Sequence, residues 1–252
     1  MKSSNKKKKN TDLMSKPWFW VAVFVAGVVL LASMFFLVRG LIHSEKPAPP
    51  TAPTRMTEMK MDIDPDIPPT MEGGLVVKQQ GKYSGFFMED GSDNPVTDVM
   101  MVVVENQSGR DLQLARIHLE YSDFTAVFHV TNLPSGASAM VLEQNAHKAV
   151  DETYKSLRVE DMVYFHEPMS LKKDLFEYSL SNGSIQVTNK SDTDIAGDIY
   201  VAYKNYSEEM YRGGITYRAK LEGGLKAGES KQVSAAHFDT EFSKLLSIQY
   251  MG

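Results

Sequence analysis

Hydrophobic and polar residues alternate with a period of two over much of the chain from Gly74 onward. This period places successive side chains on opposite faces, so it predicts β-strands with one face in a core. The apolar run Met100–Val104 does not alternate and predicts a strand that is buried on both faces. The apolar members of the clearest alternating stretches are Ile117, Leu119 and Tyr121, then Ala126, Phe128 and Val130, and Ile215, Tyr217, Ala219 and Leu221.

Turn-forming pairs separate these stretches. Asn182-Gly183 predicts a two-residue hairpin loop, because Asn and Gly both tolerate positive φ. Asp90-Gly91, Gly213-Gly214 and Gly223-Gly224 predict further turns. The segment Gln144–Leu157 departs from the β pattern, since its apolar residues follow helical spacing and predict a short helix packed on the β region.

Two parts of the β region repeat each other. Three patterns occur in the same order in both: V-x-N-x-S, I-x-x-x-Y and L-x-x-G-x-S-x-x-V. Each pattern describes a strand end, a strand or a glycine turn, and short strands with frequent turns are typical of β-sandwiches. The copies are Val104–Ser108 and Val187–Ser191, Ile117–Tyr121 and Ile199–Tyr203, and Leu133–Val141 and Leu225–Val233. The sequence therefore predicts a mainly β fold with two tandem β-sandwich modules, residues 75–168 and 169–252.

A long apolar segment precedes this region. Pro17–Val38 contains 22 residues and no charge, which is enough to cross a hydrocarbon core of roughly 30 Å as a helix. Trp18 and Trp20 stand at one end, where indole rings favour the headgroup level. The segment is apolar on every side, so we predict a transmembrane helix and not a helix of a soluble core.

The distribution of charge orients this helix. Residues 1–16 contain six lysines and one aspartate, whereas Arg39 and Lys46 are the only nearby basic residues after the helix. The positive-inside rule predicts a cytoplasmic N-terminal tail, residues 1–16, and an extracytoplasmic C-terminal region at the cell membrane. A cleaved signal peptide is the alternative, but its apolar core would be shorter and a small-x-small site would follow it. We therefore expect an uncleaved anchor.

The segment from residue 39 to residue 74 has the composition of a linker. Seven of the eleven prolines lie between Pro47 and Pro69, and proline-rich chain is extended and semi-rigid. Asp62, Asp64 and Asp66 lie at alternate positions, but the glycine and glutamate of a calcium loop are not correctly spaced around them. A solvated acidic linker is the expectation.

The module pattern of strand, N-x-S turn, strand and L-x-x-G-x-S resembles tandem immunoglobulin-like modules on envelope proteins of Gram-positive bacteria, including FxLYD-type domains. The resemblance covers most of residues 75–252. It implies two immunoglobulin-like β-sandwiches that serve in display, adhesion or interaction. The absence of cysteine agrees with a bacterial envelope that does not rely on disulfides.

Motifs for catalysis and for cofactors are absent from the sequence. The six histidines do not have metal-ligand spacing; His118 and His129 are predicted on the polar faces of neighbouring strands and are expected to be solvated. Carboxylate pairs such as Glu208-Glu209 and Asp90 with Asp93 are expected in solvated loops. The sequence therefore predicts no catalytic, cofactor-binding or metal-binding residue, and no enzyme.

The expected partners follow from charge and aromatic content. The whole chain carries −5 and residues 1–16 carry +5, so the remainder carries −10; an acidic outer region argues against nucleic acid. Tyrosines cluster near a predicted loop, residues 204–214, which is the best candidate for a recognition surface, although ordinary strand tyrosines are the simpler interpretation. The tyrosines are Tyr200, Tyr203, Tyr206, Tyr211 and Tyr217.

Taken together, these features predict a non-catalytic, membrane-anchored binding or scaffold protein of the bacterial cell envelope. Its partner would be another envelope protein or a cell-wall polymer. An accessory subunit of a membrane transport or assembly complex is the alternative, in which the helix would make lateral contacts.

Overall fold

A computed structural model describes residues 58–64 and 70–250 of the chain. The predicted cytoplasmic tail, the predicted transmembrane helix and most of the predicted linker lie outside the described residues. The described part contains fourteen strands and no helix, which confirms the prediction of a mainly β fold. In this part there is accordingly no helix with the length and hydropathy to span a membrane.

The strands are β1 Lys60–Asp64, β2 Thr70–Glu72, β3 Leu75–Phe86, β4 Pro95–Asn106, β5 Leu112–Glu120, β6 Thr125–Leu133, β7 Ser138–Leu142, β8 Ser156–Tyr164, β9 Phe176–Ser181, β10 Ser184–Asn189, β11 Ile199–Ser207, β12 Met210–Leu221, β13 Ser230–Ser234 and β14 Ser243–Tyr250. They form one eight-stranded sheet and two three-stranded sheets. The large sheet has the order β1-β3-β4-β7-β12-β11-β14, with β2 also paired to β3. The small sheets have the orders β6-β5-β8 and β13-β10-β9.

We call residues 58–64 and 70–168 the first half and residues 169–250 the second half. The large sheet runs through both halves, because β7 of the first half pairs with β12 of the second. Alternate residues of β11 belong to different cores: Val201 packs in the core under β10, whereas Ala202 packs in the core under β5. Since successive side chains of a strand point to opposite faces, the two small sheets cover opposite faces of the large sheet.

The repeated sequence blocks form the same turn in both halves. The side-chain amide of Asn106 donates to the carbonyl oxygens of Arg110 and Leu133 and accepts from the N–H of Ser108. Asn189, in the equivalent position, donates to the carbonyl oxygens of Thr193 and Leu225 and accepts from Ser191. Asp111 and Asp194 then each accept the N–H of a residue in the following glycine turn, Ser135 and Ala227. The repeat thus specifies one hydrogen-bond network twice.

Several sequence predictions agree in detail with the strands. Every residue of Met100–Val104, in β4, is buried. Ala126, Phe128 and Val130 are fully buried on one face of β6. Ser181 pairs with Ser184 across the predicted Asn182-Gly183 hairpin loop.

The predicted helix at residues 144–157 is wrong. Of the four residues on the predicted helix face, Val150, Tyr154 and Leu157 pack on the first-half core as expected, and Ala146 packs on the core beneath β3 and β4, but the backbone is not helical. The backbone of the segment bonds to neighbouring strands: Met100 donates to His147, Ala149 to Asp98, and Lys155 to Glu120. The apolar spacing reported the burial correctly and the conformation incorrectly.

The predicted linker, residues 39–74, contains two strands near its end. Lys60–Asp64 and Thr70–Glu72 pair with successive segments of β3, and Met61 packs on the core beneath β3 and β4. β1 and β2 pair with an edge of β3 that would otherwise be unpaired, and the composition of the segment does not reveal this pairing. Asp62 and Asp64 lie on β1 opposite Lys82 and Gln80.

Candidate functional site

The two halves meet at a short parallel ladder. Tyr211 of β12 pairs with Ala139 of β7, and Arg212 pairs with Met140. The strands then separate at Gly213, which has a φ of 86°, and Gly214 lies against the first half so closely that a Cβ there would be 1.8 Å from the carbonyl oxygen of His129. We call this region, where the halves touch, the joint.

The Glu89 carboxylate lies between β7 and β12 at the point where the two strands separate. Its Oε1 accepts the N–H of Leu142 on β7 at 2.9 Å and that of Gly214 on β12 at 3.0 Å, and Oε2 lies 2.9 Å from the same Gly214 nitrogen. The turn after β3 carries Glu89 to this position. A side chain of the first half therefore continues the hydrogen bonding between halves where the ladder ends.

Lys204 of β11 occupies the other side of Gly214. Its ammonium group is completely buried and donates to the carbonyl oxygens of Thr131 at 3.1 Å, Gly214 at 2.8 Å and Ile215 at 2.7 Å. The three N–H groups of a charged lysine thus have three acceptors. One of these acceptors, Thr131, belongs to the first half.

Burial shifts the pKa of both charged groups of the joint. Removal from water lowers the pKa of Lys204 to about 7, against an attraction to Glu89 that raises it. Burial likewise raises the pKa of Glu89, against the N–H groups of Leu142 and Gly214 and the charge of Lys204, which lower it. In each case desolvation exceeds the attraction between the two groups.

A second polar contact joins the halves near Glu89. Asp93, in the loop before β4, is 6% exposed and its Oδ2 lies 3.2 Å from Nδ1 of His237 in the second half. The His237 ring stacks on Tyr217 with 4.5 Å between centroids. The sequence predicted Asp93 as a solvated loop residue, and this is wrong, because its side chain is buried beside His237 while its neighbours in the loop stay exposed.

A groove of about 360 Å³ opens beside the joint. It shares Thr131 and Ile215 with the cage around Lys204, so the buried amine lies beneath its floor. The lining combines apolar, amide and hydroxyl groups with one exposed guanidinium: Gln113, Leu114, Thr131, Asn132, Ile215, Thr216 and Arg218. Both halves contribute, so the width of the groove depends on how the halves are joined.

The loop predicted at residues 204–214 is a hairpin instead. β11 and β12 pair across a turn of Glu208 and Glu209, which have φ of 48° and 60°, and Gly213-Gly214 lies within β12. Tyr211 is 7% exposed in the first-half core, and the Lys244 ammonium covers the Tyr206 ring at 3.3 Å. The long loop predicted at this position is therefore wrong, whereas the simpler interpretation, ordinary strand tyrosines, agrees with the hairpin. The segment lies at the joint.

The histidines of the first small sheet are held by charged neighbours. Nε2 of His129 accepts from Nε of Arg116 at 3.2 Å, and Nε2 of His118 lies 3.2 Å from the Glu160 carboxylate. Burial, then the nearby arginines, lower the pKa of both histidines. Residues 58–64 and 70–250 contain no group of three or more acidic, histidine or cysteine side chains arranged to hold a metal.

Sequence reasoning did not identify Glu89 and Lys204. The two residues are separated by 115 positions. Apolar residues precede both, but a single charged side chain after an apolar run is expected to face water. Gly213-Gly214 was the one available signal at the joint, and it was interpreted as a turn. No protein-family model, curated protein or solved structure matches this chain.

Proposed function

We propose that this protein is a membrane-anchored, non-catalytic binding protein of a bacterial cell envelope. A cytoplasmic basic tail and one uncleaved helix, Pro17–Val38, hold the β body outside the cytoplasm. The body consists of two tandem immunoglobulin-like modules that resemble those of FxLYD-type envelope proteins. The six lysines before the apolar segment, against Arg39 and Lys46 shortly after it, support this placement.

The groove at the joint carries the binding part of the proposal. It offers the exposed Arg218 guanidinium, the Gln113 amide and the Thr216 hydroxyl around an apolar floor of Leu114 and Ile215. An extended segment with a carboxylate fits this lining, because a guanidinium binds a carboxylate through two parallel hydrogen bonds. The preferred partner is an acidic segment of another envelope protein, and a cell-wall polymer is the second outcome.

In-cell photocrosslinking tests the binding site. A photoreactive residue at Gln113, on the exposed rim of the groove, should capture a reproducible envelope partner. The matched control is Gln186, an exposed glutamine on the outer face of β10, which should capture none. Arg218→Ala should reduce the Gln113 crosslink severalfold. Equal capture at both positions, or an unchanged yield with Arg218→Ala, would contradict the groove as the site.

Crosslinks from the apolar segment test the alternative function. If a partner is captured mainly through residues 17–38, the protein is better described as an accessory subunit of a membrane complex. Replacing Pro17–Val38 by an unrelated membrane helix separates the two: a binding protein keeps its partner, whereas an accessory subunit loses it. A reporter enzyme that is active only outside the cytoplasm should be active when it is fused after Gly252.

A further inference from the structure

The outer edge of β12 is unpaired beyond its short ladder with β7. On one side, β12 pairs with β11 as far as Leu221, whereas the ladder with β7 on the other side ends at Arg212. Among the strands of residues 58–64 and 70–250, none pairs with this side of β12 from residue 213 to residue 221. An unpaired edge presents backbone N–H and C=O groups that another chain can bond to. This edge borders the groove, which is lined by Ile215, Thr216 and Arg218 of β12.

The ladders of β11 show which backbone groups of β12 face the open side. Ile248 of β14 lies opposite Val201 of β11, but its N–H donates to Ser170 on the far side. Val201 therefore directs its own N–H and C=O away from β14 and toward Ala219, its partner on β12. Because bonded and non-bonded pairs alternate along an antiparallel ladder, the two neighbours of Ala219 direct their backbone groups away from β11.

The two neighbours of Ala219 are Arg218 and Lys220. Each presents one N–H and one C=O at the open edge, and no hydrogen bond within the described part of the chain uses these four groups. Both residues are exposed, so a further chain can reach their backbone. The site therefore offers two donors and two acceptors in the arrangement that a β-strand requires.

Lysine side chains close the edge at both ends of this stretch. Lys204 donates to the carbonyl oxygen of Gly214 at one end. At the other end, Lys231 of β13 donates to the carbonyl oxygens of Glu222 and Gly224 at 3.4 and 2.7 Å. Side chains of this type protect sheet edges from pairing. The edge stays open between the two lysines, in the part of β12 that borders the groove.

The charges beside the open edge favour an acidic partner. Lys220 is held by Asp198 and Glu222, whereas Arg218, on the groove, has no carboxylate partner among the described residues. In an added strand, the side chain opposite Arg218 lies on the same face as the guanidinium, so a carboxylate fits that position. The next residue of the added strand points to the other face, beside Ala219 of the second-half core, where an apolar side chain fits.

We propose that the open edge of β12 binds the acidic partner segment as an added antiparallel β-strand, through the backbone of Arg218 and Lys220. The proposal rests on the proposed binding function and specifies the partner: a strand with a carboxylate opposite Arg218 and apolar residues on either side of that carboxylate. Antiparallel pairing suits the site, because two residues of the partner then satisfy all four backbone groups, whereas a parallel strand needs three. In this mode the backbone provides affinity and alternate side chains provide specificity.

A designed peptide tests the pairing on the full-length protein in detergent micelles. The probe is Gly-Ser-Thr-Val-Glu-Val-Thr-Ser-Gly with an N-terminal fluorophore, and fluorescence anisotropy measures its binding. We expect saturable binding that Arg218→Ala weakens severalfold. Hydrogen exchange at the amides of Arg218 and Lys220, measured by mass spectrometry of β12 fragments, should slow by about tenfold or more at saturating peptide, because paired amides are protected.

Methylated peptides are the matched controls. N-methyl groups on the glutamate and the first threonine remove the two N–H groups that would bond to Arg218 and Lys220, and this peptide should not bind. N-methyl groups on the two valines replace N–H groups that point away from β12. The valine-methylated peptide should therefore bind nearly as well as the unmodified peptide.

A pair of variants at one position tests the same bonds from the protein side. Lys220→Pro removes an N–H of the open edge and keeps the pairing with β11, since proline is tolerated where the N–H points away from the neighbouring strand. Lys220→Ala keeps the N–H and loses the ammonium group. We expect Lys220→Pro to abolish peptide binding and Lys220→Ala to retain most of it. If Lys220→Pro does not fold by circular dichroism, the methylated peptides still decide.

Three results would overturn the proposal: no saturable binding of the peptide, binding that glutamate and threonine methylation does not weaken, and unchanged amide exchange in β12 with the peptide bound. Failure of strand addition is distinguishable from failure of the binding function. A partner captured at Gln113 in equal yield from Lys220→Pro and Lys220→Ala would retain the groove as a site and exclude strand addition. Peptide pairing with β12, without any capture at Gln113 in cells, would retain strand addition and exclude the proposed envelope partner.

Discussion

At the residue scale, two asparagines explain why the sequence repeat exists. Asn106 and Asn189 are completely buried at strand ends, and each satisfies carbonyl groups that would otherwise lack a donor. An unsatisfied buried polar group costs about 1–3 kcal/mol, so these positions tolerate few other side chains. The neighbouring serines complete the network, since the hydroxyl groups of Ser108 and Ser191 donate to the asparagine Oδ1 at 2.7 Å in both halves.

Replacing either asparagine by alanine should destabilise the fold. We expect Asn106→Ala and Asn189→Ala each to lower the free energy of unfolding by about 3 kcal/mol, because several backbone groups lose their partners at once. The measurement is chemical denaturation followed by circular dichroism. Asn94→Ala is the matched control: Asn94 is exposed, and its loss should cost less than about 0.5 kcal/mol. Equal costs at the three positions would show that the networks contribute little.

Lys204 should make stability depend on pH above neutrality. Its pKa is about 7 in the folded chain and 10.5 ordinarily, so the unfolded chain binds a proton that the folded chain lacks between these values. The free energy of unfolding therefore rises as the pH is raised through this window. Denaturation midpoints measured from about pH 7 to pH 9.5, below the titration of most tyrosines, should increase in the unmodified chain. In Lys204→Met this increase should disappear; an identical slope in both chains would contradict the assignment.

At the scale of elements, β12 depends on one glycine to reach β6. A Cβ at Gly214 would lie 1.8 Å from the His129 carbonyl oxygen and 2.9 Å from the Val141 side chain. The backbone oxygen cannot move without breaking β6 from the sheet. We expect Gly214→Ala to cost at least about 3 kcal/mol, at the upper end of overpacking effects.

Gly136→Ala is the control for this substitution. Gly136, unlike Gly214, has a left-handed conformation, with a φ of 76°, and no atom lies within 4 Å of its added Cβ. Its cost should be about 1–2 kcal/mol, the price of a left-handed conformation alone. Denaturation of both variants by urea measures the difference, and comparable costs would mean that β12 can shift away from β6.

The strands were predictable where one face is buried and the other is wet. β5 and β6 show this alternation over most of their length, and the Asn182-Gly183 hairpin follows from local backbone preference. The β11–β12 hairpin was missed because Glu208 and Glu209, which make its turn, have no strong preference for positive φ. The segment from residue 144 was missed because Glu143, which is completely buried, fixes its path by accepting the N–H groups of Asn145 and His147.

The joint was not predictable from the sequence for a different reason. Lys204 follows Tyr203 on β11, and an isolated lysine in a strand is expected to turn its ammonium group to water. Its burial depends on three carbonyl groups from β6 and β12, which only the assembled fold brings together. Local pattern identifies strands, whereas the pairing of distant charged residues requires the tertiary structure.

At the scale of the whole molecule, the halves share too much to fold independently. Ala202, Tyr211 and Leu246 of the second half are buried in the core of the first. Residues 169–250 alone would expose these side chains and leave Lys204 without Thr131. Because a shared core couples the unfolding of its parts, the β body should unfold in one cooperative transition.

Thermal unfolding of the full-length protein tests this coupling. Far-ultraviolet circular dichroism reports the strands of both halves, and the second probe is a fluorophore on Lys226→Cys in the second half; the two midpoints should coincide. In Gly214→Ala, which forces β12 away from β6, we expect the two signals to separate, since the halves then lose their closest contact. Gly136→Ala lowers stability without touching the joint and should keep the signals together. Two separate transitions in the unmodified chain would mean that the two halves unfold independently. The contacts of the joint would then contribute little to the free energy of unfolding.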